Sequence, residues 1–61
     1  MDRKQKFLRV YSNLPLGLRK EIILVLEGKG PITWEVAYLE VENDTPLAGI
    51  ILEKLENLGF I

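Results

Sequence analysis

The stretch from Asn43 to Ile61, NDTPLAGIILEKLENLGFI, constrains the rest of the chain more than any other. Asp44 or Thr45 can cap a helix there, and Pro46 suits the first helical position, where its missing N–H costs nothing. Gly59 supplies a left-handed stop just before the apolar pair Phe60 and Ile61. Between these signals Ala48, Ile51, Leu52, Leu55 and Leu58 recur at three- and four-residue steps. The spacing predicts one apolar stripe, which is stable only against other elements, so everything upstream must supply that partner surface.

The chain has 61 residues, 48% of them hydrophobic, and this predicts a single domain over 1–61, near the lower size at which one core can outweigh chain entropy. With no Cys there are no disulfides and no thiolate metal sites, and with no His there is no imidazole for zinc or for base chemistry near neutral pH. Stability is therefore expected from packing, across a subunit interface if the chain self-associates. No apolar run approaches the ~20 residues that span a bilayer, and Met1-Asp2-Arg3-Lys4 does not open a signal peptide, so a cytoplasmic protein with no membrane contact is expected.

Charge is divided unevenly along the chain. Residues 1–30 carry seven Lys/Arg against three Asp/Glu, and residues 31–61 carry one against six, giving +4 and -5. Such polarity could align two copies head to tail or turn the basic end toward an acidic partner such as nucleic acid.

Asp2 is placed to cap a first helix running to about Asn13, with Phe7, Val10, Tyr11 and Leu14 on one face and Arg3, Lys4, Lys6 and Arg9 around the rest. Pro15 ends it. Leu16 to Glu27, LGLRKEIILVLE, reads as a second and central helix with Leu18, Ile22, Val25 and Leu26 on its buried stripe and Ile23 widening it. Gly28-Lys29-Gly30-Pro31 reads as the stop and turn after that helix, since it lacks the longer pattern of a phosphate-cradling loop. Ile32 to Glu42, ITWEVAYLEVE, is open between two readings. Alternation of Ile32, Trp34, Val36 and Tyr38 suits a strand. A helix capped by Thr33 instead gathers Trp34, Ala37, Tyr38 and Val41 on one stripe.

From Ile32 to Ile61 the chain resembles the winged-helix branch of the helix-turn-helix superfamily. Such domains run apolar-Thr, a short helix, a tight turn, then a recognition helix ending L-x-x-L-x-x-x-G-apolar-apolar, an ending filled here by Leu52, Leu55, Gly59, Phe60 and Ile61. Thr33 stands at the corresponding distance before it, and Leu16 to Glu27 corresponds to the family's first helix. The resemblance implies an all-α fold, a three-helix helix-turn-helix core with an extra N-terminal helix, in which Trp34 to Glu42 is helical. The alternative is an α+β fold with a short strand at 32–39.

The departures from the family bear on function. DNA-reading members carry polar and basic side chains on the outward positions that open the recognition helix, where this chain has Pro46, Leu47, Gly49 and Ile50. None of these can make the bidentate hydrogen bonds that discriminate base pairs, and the family's hairpin wing does not follow Ile61. The expected function is therefore a non-enzymatic protein-interaction or dimerisation module of transcription-regulator type. Its expected partner is a second copy or another protein, and Trp34, Val36, Leu39, Leu47 and Ile50 are its candidate interface residues. The alternative is a DNA-binding regulator that touches phosphates, weakly and without sequence preference, through Arg3, Lys4, Lys6, Arg9, Arg19 and Lys20. No catalytic constellation, cofactor motif or metal-ligand spacing stands out; Glu40, Glu42 and Asp44 lack the glycine turn and further ligands of a calcium loop.

Overall fold

Asp2 opens the first helix, α1 (Arg3–Ser12), by accepting a hydrogen bond at 2.8 Å from the Gln5 N–H. The computed structural model describes residues 2–61. Phe7 and Tyr11, one turn apart, are the residues α1 buries. After Pro15 the chain makes a short 3-10 helix (Leu16–Lys20) and then a strand, β1 (Ile22–Leu26), paired antiparallel with β2 (Gly30–Thr33). Two helices complete the fold, α2 (Trp34–Glu42) and α3 (Pro46–Asn57).

The domain is thus mainly helical but α+β, and the all-α expectation is corrected at one place. Leu16 to Glu27 is not a helix. Gly17 and the β-branched Ile22, Ile23 and Val25 are poor helix formers, whereas the run IILVL next to a glycine-containing turn can pair with the segment that follows it. Gly28 and Gly30, with φ of 80° and 86°, provide the left-handed conformations of that turn, and the Lys29 N–H closes it on the Leu26 carbonyl at 3.0 Å. In β1 the side chains alternate, so Leu24 and Leu26 face the core while Val25 is 75% exposed. Leu18 and Ile22, expected on the buried stripe, are exposed as well. A bulge at Ile22–Leu24 ends the regular pairing.

The strand alternative for 32–39 holds only as far as Thr33. There the Thr33 hydroxyl accepts from the Val36 N–H at 3.1 Å and starts α2, whose buried side is Trp34, Ala37 and Val41. Thr45 rather than Asp44 caps α3, accepting from the Ala48 N–H at 3.2 Å. Asp44 sits in the turn with φ of 50°. At the far end Gly59, with φ of 85°, closes α3: the Phe60 N–H reaches the Leu55 carbonyl at 2.9 Å and the Gly59 N–H reaches Glu56 at 3.1 Å. That reversal carries Phe60 back to an edge-on contact with Trp34, ring centroids 5.9 Å apart at 88°.

All five elements feed one core. Phe7, Ile51 and Leu55 are fully enclosed, with Val41 nearly so, and Leu24, Leu26, Ile32 and Trp34 close the sheet side. On the stripe of α3, Ala48, Ile51 and Leu55 are buried and Leu52 is half-buried. Leu58 departs from the expectation: it follows the last turn of α3 and lies 62% exposed.

Candidate protein interface

β1 and α3 lie beside each other, and the apolar side chains that their core-facing positions do not use meet at the surface between them. Val25 is common to two adjoining depressions. One, of about 410 Å³, is shared with Leu26, Leu47, Ile50 and Lys54; the other, of about 350 Å³, with Leu24, Lys54, Asn57 and Leu58. Ile50 is half exposed, and Leu47 is half-buried against the core. The result is an apolar groove with Glu27, Lys29 and Lys54 on its rim. Among the described residues no three acidic side chains converge as a cation site would require. Among the described residues no helix is long and apolar enough to cross a membrane.

No family model, curated protein or solved structure matches the chain.

Of the five expected interface residues, the groove brings together Leu47 and Ile50. Trp34 is in the core, between Phe7 and Phe60, and presents no docking surface. Val36 and Leu39 are exposed on α2 and do not line the groove. Val25 and Leu58 belong to it although their positions in the sequence suggested buried helical stripes; the β-branched run from Ile22 was the signal for Val25.

The six cations of the phosphate-binding alternative divide into three groups. Arg3 and Lys6 both hold Glu56, at 2.8 and 3.4 Å, and Lys4 holds Asp44 at 2.9 Å. These pairs fasten α1 to α3 and to the α2–α3 turn. Arg9 and Lys20 are exposed and have no ion-pair partner among the described residues. The Arg19 guanidinium lies 4.5 Å over the Tyr11 ring, which stacks in turn on Tyr38 at 4.4 Å. This stack sits in a hollow also lined by Leu8, Ser12 and Glu42.

In two of these pairs the contact registers in proton affinity. The hydrogen bond from Arg3 holds the Glu56 carboxyl below its ordinary value of 4.5, with Lys6 contributing. The hydrogen bond to Asp44 holds the Lys4 ammonium above its ordinary 10.5. The depressed acid contributes stability that is complete above pH 4.5 and is lost as pH falls through its lower folded value. The raised base contributes below 10.5 and loses its share as pH rises through its higher folded value. Urea midpoints at pH 7 and pH 3 check the acid side: the drop should be smaller in Glu56→Gln than in the unmodified chain, and equal drops would contradict it.

Proposed function

We propose that this chain is a non-enzymatic dimerisation module of helix-turn-helix type, with a second copy of itself as the occupant of the β1–α3 groove. The observation that carries this reading is the groove itself: Val25, Leu47, Ile50 and Leu58 line two adjoining depressions between β1 and α3 in a domain too small to cover them. Its charged rim is of mixed sign, with Glu27 beside Lys29 and Lys54, which suits a self-complementary partner better than a polyanion.

The helix-turn-helix assignment is supported by α2 and α3 being joined by a turn of Asn43, Asp44 and Thr45, with a threonine cap on each helix. A winged-helix ancestry agrees with this order and with the Leu55-to-Phe60 closure. On such a helix the outward residues Leu47, Gly49 and Ile50 offer contact area and no hydrogen-bond donors to base edges. The DNA-binding alternative is weakened because Arg3, Lys4 and Lys6 already neutralise Glu56 and Asp44, and their release would give up those pairs.

Sedimentation of the protein over a concentration series tests the reading. A dimer is expected, and replacing Leu47 and Ile50 together by Glu should weaken it by about 100-fold or more, since each protomer would then bring two carboxylates into an apolar contact. The helical content should survive, because neither side chain is enclosed in the core. A monomer at every concentration would overturn the proposal.

A further inference from the structure

The backbone of β1 supplies a more specific statement about the partner. Pro31 lacks an N–H, so the Val25↔Pro31 pair cannot exchange both bonds of a closed pair; the ladder bonds run through Leu24↔Ile32 and Leu26↔Gly30 on either side. By the alternation of an antiparallel ladder, the Val25 N–H and C=O therefore point away from β2, to the free edge of β1. The sheet has two strands, and no backbone hydrogen bond among the described residues reaches Val25 from that edge. The opposite edge is different in kind, because Pro31 occupies the matching outward position on β2 and offers no donor there. One edge of this sheet can accept a strand, and it is the edge that borders the apolar groove.

We propose that two copies join by pairing β1 with β1 antiparallel across a twofold axis at Val25, making a four-stranded sheet in the order β2-β1-β1-β2. This rests on the dimer reading above and names its mode. The register follows from two conditions. A strand that pairs with itself about a twofold must place a residue opposite its own copy or opposite one an even number of positions away, so that side chains share a face. The bulge at Ile22–Leu24 removes regular alternation upstream, which leaves Val25 as the position of the regular ladder offering both donor and acceptor outward. Val25 thus faces Val25 of the second copy, and the two exchange both N–H···O=C bonds.

The neighbouring register, centred on Leu24, would need at the free edge an N–H and C=O that Leu24 already turns toward Ile32 of β2. In the favoured register Val25, three-quarters exposed in the monomer, gains Val25 of the second copy as its cross-strand neighbour.

Amide hydrogen exchange read residue by residue by NMR tests the mode directly. The Val25 N–H should exchange fast in dilute protein and slow by about 10-fold or more at concentrations where the dimer forms. Val25→Pro removes the outward donor without touching a β1–β2 bond, and should weaken the dimer by about 10- to 100-fold while leaving the circular dichroism spectrum of the folded chain. A dimer in which Val25 exchanges as fast as in the monomer overturns the strand pairing and leaves the dimer standing. A protein monomeric at all concentrations overturns the dimer reading itself.

Discussion

Phe7→Ala is expected to remove the larger part of the stability of this fold at room temperature. Phe7 is fully enclosed, and its ring lies 5.9 Å from both Tyr11 and Trp34, so it is the point at which α1 joins the aromatic side of the core. Truncating a buried phenylalanine costs about 3–5 kcal/mol through lost transfer energy and the cavity left behind. A domain of 61 residues, at roughly 0.05–0.15 kcal/mol per residue, has only about 3–9 kcal/mol in total. The remaining attachments of α1 cannot compensate: the pairs from Arg3, Lys4 and Lys6 are solvent-exposed, and such pairs contribute little. An isolated helix of ten residues is itself marginal in water, so α1 should melt as it detaches. Urea titration followed by circular dichroism and by Trp34 fluorescence measures the effect. A midpoint that implies a loss below about 1 kcal/mol would mean that Phe7 is not enclosed as described. Val10→Ala, at a half-buried position of the same helix, is the control and should cost far less.

What could be read from the sequence was local. The caps at Asp2, Thr33 and Thr45 and the left-handed Gly59 each depend on residues within one turn of the chain, and each makes the hydrogen bonds expected of it or, for Gly59, adopts the expected φ. The buried side of α2 also followed from spacing once the helix was chosen. The hairpin did not, because IILVL is apolar at every position and so satisfies a helical stripe and a buried strand equally. Deciding between them required recognising that Gly28-Lys29-Gly30 joins IILVL to GPIT instead of ending a helix. That is a statement about pairing across the turn and not about either segment alone. The candidate interface was legible to the same extent: Leu47 and Ile50 stood off the stripe of α3, while Val25 could be seen as exposed only after its neighbours Leu24 and Leu26 were assigned to a strand. Trp34 shows the converse. It was expected among the docking residues, yet it is buried, and the turn at Gly59 returns Phe60 to cover it.

Leu24 and Val25 therefore separate the two descriptions of this segment by experiment. In a helix over Leu16 to Glu27, Val25 would share the buried stripe with Leu18 and Ile22, and Leu24 would fall outside it. In the hairpin the assignments reverse, with Leu24 6% exposed among the core residues and Val25 75% exposed. Leu24→Ala should accordingly cost about 2–5 kcal/mol, a large fraction of what a domain of this size has. Val25→Thr keeps the β-branched shape on an exposed strand position, and in dilute protein, where no second copy covers it, should change stability by less than about 0.5 kcal/mol. Denaturation of both variants at low concentration gives the comparison, with far-UV circular dichroism confirming that each still folds without urea. A Val25→Thr chain less stable than the Leu24→Ala chain would remove the hairpin, and with it the free edge of β1 on which the strand-paired dimer depends. The expected order, with Leu24 sensitive and Val25 indifferent until the protein is concentrated, would give Val25 the behaviour of a residue that is buried only in the assembled state.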